Sequence, residues 1–168
     1  SEVNALLSAP KSTKELNQLK VALLLPFNPS KKTVASSRFI EYYEGMLLAV
    51  DRLQNQGLSL DLSVYDTGEG TSRIREILTG ETLPNADLII GAVQNDQIKM
   101  IADFAKEHRI KYVIPFTSKN DDVLSNNFVF QVNTPHSYLY SKAAERGRKL
   151  FANDNFILVK IHDKEAKK

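Results

Sequence analysis

The sequence predicts an α/β domain, a doubly wound and mainly parallel sheet with strand order 2-1-3-4-5. Three observations lead there. Continuous apolar runs at residues 20–27 (KVALLLPF), 86–93 (ADLIIGAV) and 111–116 (KYVIPF) have the pattern of strands buried on both faces. Segments of helical periodicity separate them, and strands alternating with helices of about ten or more residues imply right-handed parallel crossovers. The strand at 58–66 (LSLDLSVYD) alternates instead, with Leu58, Leu60, Leu62 and Val64 on one face and Ser59, Asp61, Ser63 and Tyr65 on the other. A strand with a polar face belongs at a sheet edge. With that strand outermost and the first apolar run its inner neighbour, the order reverses between strands one and three, and ligands of such sheets gather beyond the carboxyl ends at that point.

Residues 1–19 are polar and weakly patterned, a leader or linker. The first strand is closed by Pro26. After the loop NPSKKTVAS, Ser37 is an expected N-cap for a helix in which Phe39, Ile40, Tyr43, Met46, Leu47, Val50 and Leu53 recur at helical spacing before Gly57 ends it. Gly45 lies inside that helix, where glycine costs about 1 kcal/mol relative to alanine; close approach of helix to sheet is the expected reason. A short helix through Ile74, Ile77 and Leu78 leads by way of Pro84 into the third strand. Helix 96–110 then presents Ile98, Ile101, Ala102 and Ala105 to a core, and KYVIPF follows. Beyond a polar loop come FVFQVN, a helix opened by Pro135 and running through Tyr138, Ala143 and Leu150, and a last strand NFILVKI.

Composition narrows the function classes. With 168 residues, 42% hydrophobic and 25% charged, the chain is globular and long enough to bury a core. Its net charge of +2 comes from mixed residues with no basic stripe, so nucleic acid is not implied. Cysteine is absent, which excludes disulfides, thiolate metal sites and cysteine nucleophiles but leaves the compartment open. No apolar run reaches the roughly 18 to 20 residues that span a bilayer. No signal peptide opens the sequence, which reads as a mature or trimmed piece.

Residues 65–70 (YDTGEG) contain Asp-Thr-Gly, the tripeptide around the catalytic carboxylate of aspartic proteases. That chemistry needs two carboxylates sharing one proton under a β-hairpin flap. The segment from Gly68 to the LIIG at residues 88–91 is helical in pattern and has no room for a flap, and Glu69 would add a disturbing charge beside the dyad. Asp66 instead reads as the polar end of an edge strand followed by turn chemistry. GEGTSR lacks both the Gly-x-Gly-x-x-Gly spacing and a Walker lysine, and no Gly-x-Ser-x-Gly elbow occurs. His108, His136 and His162 have no paired ligand spacing. No catalytic residue, metal or cofactor is expected.

The motif order KVALLLPF, FIEYYEGMLLAVDRLQNQGLSLDLSVYDTG, ADLIIGAV, YVIPFTS and FVFQVNTPHS resembles the first lobe of type I periplasmic-binding-protein-like receptor domains. The likeness is to the branch found downstream of LysM peptidoglycan-binding repeats in bacterial cell-envelope proteins. It covers roughly residues 20–163, and the block at 39–68 is its most specific part. The resemblance implies a non-enzymatic, two-lobed binding fold: residues 20–134 form the first lobe, and 135–168 the crossing helix and strand that begin a truncated second lobe. It also implies ligand contacts from the loop after strand one (Asn28, Ser30), after strand three (Gln94, Asn95) and after strand four (Thr117, Ser118), with Asn133 and Tyr138 near the crossing. Amino-acid binders of this kind tend to carry a Ser-Gly pair after the first strand's proline and a small hydroxyl residue in the third loop. Phe27-Asn28-Pro29-Ser30 and Gln94-Asn95 depart from that. Each polar side chain also has a plainer use, capping a helix or closing a turn.

The resemblance further implies residence in the periplasm or cell envelope, with a small molecule or an envelope protein as partner and a connection to peptidoglycan through sister modules. The last strand, with Phe156, Ile157, Leu158 and Val159, would have open edges, so it is expected to pack on its own first lobe or on a second copy in a homodimer. Two other classes use the same sheet edge or none: a flavodoxin-like enzyme or nucleotide-binding protein, and a scaffold without ligand capacity.

Overall fold

The structure, a computed structural model, describes residues 18–28 and 34–154, with backbone alone for 34–36. Residues 1–17 of the expected leader, Ser30 and the expected last strand lie outside the described residues, and Leu19, assigned to that leader, is the first residue of a strand. The chain divides into two compact units, Ser1–Pro135 and His136–Lys168.

The first unit is built on five parallel strands: β1 (Leu19–Leu25), β2 (Leu60–Asp66), β3 (Leu88–Gly91), β4 (Lys111–Ile114) and β5 (Val129–Gln131). Their order is β2-β1-β3-β4-β5, as the alternation of the second strand and the apolar continuity of the others predict. Helices α1 (Val34–Asn55), α2 (Ser72–Thr79) and α3 (Asn95–His108) connect them, with 3-10 turns at Leu83–Asn85 and Asp122–Leu124. Because β1 is followed on one side by β2 and on the other by β3, right-handed crossovers put α1 on one face of the sheet and α2 and α3 on the other.

The larger core lies under α2 and α3. Ala22 and Leu24 of β1, Ile89 of β3, Tyr112 and Ile114 of β4 and Val129 of β5 meet Ile74 of α2 and Ile98, Ile101 and Phe104 of α3. Register explains this membership: Ala22 pairs with Ile89, Ile89 with Tyr112 and Tyr112 with Val129, so these side chains share one face. On the other face Val21, Leu23 and Leu25 are buried, but no described side chain of α1 is fully so.

Two expectations about α1 need correction. The helix begins at Val34, so Ser37 lies within its first turns rather than capping it. Nothing described lies within 4 Å of a Cβ built on Gly45, and the residue is exposed, so close packing on the sheet is not what keeps a glycine there. The expected stop does hold: Gly57 has φ 91° and donates its N–H to the Gln54 carbonyl at 2.9 Å.

Helix α3 follows Gln94, whose backbone is extended, and ends at Arg109 with φ 58°. The N–H of Ile110 reaches back to the Ala105 carbonyl at 2.9 Å, which closes the helix without glycine.

In the second unit α4 (His136–Leu150) carries no buried residue and is braced by Glu145, which pairs with Lys142 at 3.5 Å and Lys149 at 3.0 Å.

Candidate functional site

The order reversal leaves a crevice position beyond the carboxyl ends of β1 and β3, and the backbone there is tightly specified. Gly91 ends β3 with φ 129°, and a Cβ on it would stand 2.0 Å from the Leu24 carbonyl oxygen of β1. Only glycine fits such an approach. Ala92 follows with φ 58° and donates its N–H to that same oxygen at 2.8 Å, while the Tyr112 hydroxyl donates to the Gly91 carbonyl at 3.1 Å. Full burial pushes the Tyr112 hydroxyl far above the usual tyrosine range, with the negative charge of Asp122 adding to it.

Asp66, the residue of the Asp-Thr-Gly tripeptide, braces two loops of this edge. Its Oδ1 accepts the N–H of Phe27 at 3.1 Å and of Gly68 at 3.0 Å, and Arg73 stands 3.4 Å from Oδ2. The loop after β2 is then tied to α3: Gln94 Oε1 accepts the Gly70 N–H at 3.2 Å, and Gln97 Nε2 donates to the Gly70 carbonyl at 2.6 Å. Thr67 and Gln97 are fully buried beneath this loop, and Thr67 Oγ1 and Gln97 Oε1 have no partner among the described residues. Neither was a sequence candidate, because one buried polar residue leaves no periodic signal.

Three ring contacts join the first strand's loop, α1 and the fourth strand's loop. Phe27 meets Tyr43 with centroids 5.9 Å apart; Phe39 and Tyr42 meet Phe116 at 5.5 and 4.8 Å. All are edge-on, a favourable geometry for aromatic pairs, and all five rings are half-buried. Burial raises the Tyr42 hydroxyl above its ordinary range. Sequence reasoning placed Phe39 and Tyr43 on a helix face and passed over Phe27 and Phe116. The available signal was the Pro-Phe pair that closes both the first and the fourth strand.

The expected ligand residues divide by what they already hold. Asn28 sits half-buried in the left-handed region with φ 43°, and Asn95 is exposed at the start of α3; neither side-chain amide has a partner among the described residues. Gln94 is engaged by Gly70. Thr117 Oγ1 accepts the Lys119 N–H at 3.0 Å, closing a turn, and Ser118 beside it is half-buried. Asn133 Nδ2 reaches the Pro115 carbonyl at 3.5 Å, and its own carbonyl accepts Gln131 Nε2 at 2.8 Å. Tyr138 belongs to the second unit, where Lys142 Nζ lies 5.8 Å from its ring centroid. The loop after β4 is further stitched by Asn120 to Asp122 and by Asn126, whose Nδ2 donates to the Ala102 carbonyl of α3 at 2.9 Å. Among the described residues no group of three or more potential metal ligands occurs, and no helix is long and apolar enough to cross a membrane.

This open parallel sheet, with its loops gathered at the carboxyl edge, matches in fold the first lobe of periplasmic-binding-protein-like structures of type I. The leucine-binding protein LivK of Thermotoga maritima MSB8 aligns with TM-score 0.60 and 20% identity over 80% of this chain and 38% of its own. LivJ of Streptococcus pneumoniae, a branched-chain amino acid transporter substrate-binding protein in complex with isoleucine, gives 0.59 and 13% over 71% of this chain and 35% of its own. An ABC transporter solute-binding protein of R. palustris in complex with benzoate gives 0.55 and 21% over 79% and 37%. The chain thus spans less than two fifths of the length of each of these structures. No protein-family model and no curated protein matches it.

Proposed function

We propose that this chain is the first-lobe part of a non-catalytic ligand-binding domain, and that its ligand is a small molecule held at the carboxyl edge of the sheet. The observation that carries this reading is the pair of unengaged amides, Asn28 and Asn95, flanking the β1–β3 crossing. The close approach of Gly91 to Leu24 and the Ala92 hydrogen bond fix the backbone at the end of β3, so that part of the edge is formed before a ligand arrives. The aromatic contacts from Phe27 to Phe116 add an apolar wall on the same edge, which suits a ligand with both a polar group and an apolar body. Isoleucine and benzoate, held by two of the structural neighbours, have that character. Asp66, consumed by two backbone amides and Arg73, favours binding over acid catalysis.

Residence in the periplasm or cell envelope, and a connection with peptidoglycan through sister modules, extend the proposal on the strength of the sequence resemblance. Pairing of two copies through the last unit is part of it; light scattering and retention on purified sacculi test these two points.

The decisive experiment is mass spectrometry of small molecules that co-purify with the protein, followed by titration of the one found. Asn28→Gly, which keeps the left-handed backbone, and Asn95→Ala should each weaken it at least ten-fold while leaving the melting temperature within about 2 °C. Unchanged affinity in both variants would move the site elsewhere. Turnover of the bound compound would make the chain an enzyme.

A further inference from the structure

A cavity of about 350 Å³ opens at the other end of the sheet. Its walls are the amino-terminal part of β1, one face of β2 from Asp61 to Tyr65 and the segment that leads through the Leu83–Asn85 turn into β3. It exists because α2 is too short for its strand. The eight residues of α2 rise about 12 Å, whereas the seven of β2 extend about 23 Å. The uncovered stretch is the polar face of β2, where Asp61 and Ser63 recur at alternate positions, with Glu81 lining the same space and Ala22 and Leu83 as its buried apolar part.

The charges decide what fits. Lys20 and Asp61 are direct partners in the β1–β2 register and both line the cavity. Opposite charges at facing strand positions attract, by up to about 1 kcal/mol when exposed. Here neither side chain makes an ion pair or hydrogen bond among the described residues, and the Glu81 carboxylate makes none either, although the Glu81 carbonyl accepts Asn85 Nδ2 at 2.9 Å and Asp87 Oδ2 accepts the Lys20 N–H at 2.9 Å. A lone cation in this space meets the ammonium of Lys20, and a lone anion meets two carboxylates. A molecule that carries both charges, set a few ångströms apart, satisfies all three groups at once.

We infer that this cavity is a second binding site, separate from the carboxyl edge, and that it takes a small zwitterion. The ligand's ammonium lies between Asp61 and Glu81, its acid group on Lys20, and its short apolar part against Ala22 and Leu83, with the Ser63 hydroxyl in reach of either polar end. The site is independent of the function proposed above, since none of its charged residues belongs to the carboxyl edge.

The test is an NMR titration of the 15N-labelled 168-residue chain with glycylglycine as the zwitterion and propylamine and propionate as its halves. Glycylglycine should shift the amides of Ala22, Ser63 and Leu83 saturably, with each half binding at least ten-fold more weakly. Lys20→Gln and Asp61→Asn should each lower the affinity at least ten-fold. The double variant Lys20→Asp with Asp61→Lys should recover part of it, because a zwitterion can turn end for end while Glu81 stays in place. Lys20 and Asp61 are exposed, and the dispersion of each variant's spectrum reports that it has folded. The site is overturned by a lack of saturable shifts at those amides, by a half-ligand that binds as well as the whole, or by a swapped variant no better than the singles. Shifts confined to Asn28, Asn95 and Thr117 also overturn it and assign the zwitterion to the carboxyl edge.

Discussion

Ile89 and Ile90 are adjacent on β3, yet the first is fully buried and the second only partly. The contrast continues outward along the register. On the α3 face Ile89, Tyr112 and Val129 stay at 3% exposure or less, whereas on the α1 face Ile90 and Val113 are half-buried and Phe130 is 49% exposed. The inner strands carry apolar residues toward both sides, and on β2 it is the α1 side that is the more apolar, so composition is not the cause. A helix with its side chains covers a band about 10–12 Å wide, and five strands at about 4.8 Å spacing make a sheet roughly 20 Å across. Two helices, α2 and α3, suffice for one face. Among the described residues of the first unit α1 alone serves the other, beside β1 and β2, and burial falls off beyond it. Helix supply, more than strand hydrophobicity, sets how much each face of this sheet contributes to stability.

The largest effect that tests this comparison comes from truncating the two isoleucines in parallel. Ile89→Ala opens a cavity in a closed core and should cost about 3–4 kcal/mol, while Ile90→Ala, already part-solvated, should cost about 1–2 kcal/mol. Urea unfolding of both variants at equal concentration measures the difference. Equal losses would mean that the α1 face is covered in solution, and a concentration dependence of the midpoint would then say whether a second copy covers it.

How far these environments are legible in the sequence depends on which interaction sets them. The strand order follows from the unbroken apolar runs and the alternation at Asp61, Ser63 and Tyr65, because burial on two faces or one is written directly in side-chain polarity. The stop at Gly57 is legible for a similar reason: a left-handed residue after a helix favours one amino acid. The candidate site is less so. Gln94, Thr117 and Asn133, named as candidates from the sequence, lie in loops beyond the carboxyl ends of the strands, where their polar atoms are taken up by Gly70, Lys119 and Pro115. Which partner a side-chain amide or hydroxyl finds is a tertiary fact, decided by loops up to 24 positions away in sequence. Gln97 and Thr67 went unnoticed for the same reason.

Tyr112 gives the next sharpest probe of the closed face. Its hydroxyl is buried and donates to Gly91 at 3.1 Å, so Tyr112→Phe should cost about 1–2 kcal/mol at neutral pH by leaving a carbonyl short of a partner. The phenol's pKa is raised in the folded protein, chiefly by burial, above its unfolded value of about 10. Below pH ~10 both states hold the proton and the contribution is complete. Above that the unfolded chain releases it first, so the unfolded state binds fewer protons and stability falls as pH rises. The difference between wild type and Tyr112→Phe should therefore shrink as the pH climbs past about 10. A constant difference from pH 7 to 11 would mean that Tyr112 reaches solvent, and that the α3 face is more open than its burial indicates.

Gly45 tests the open face with the smallest expected change and the opposite sign. It lies in the middle of α1, and a methyl group added to its Cα would have nothing described within 4 Å, so Gly45→Ala meets no steric obstacle there. Removing the glycine's backbone freedom from the unfolded chain should stabilise the protein by about 0.5–1 kcal/mol, visible as a higher urea midpoint with an unchanged slope. A loss of stability instead would show that the outer surface of α1 is in contact with something that a single methyl group disturbs. The α1 side would then be a packed face like that of α3, and the asymmetry between Ile89 and Ile90 should shrink in the same measurement.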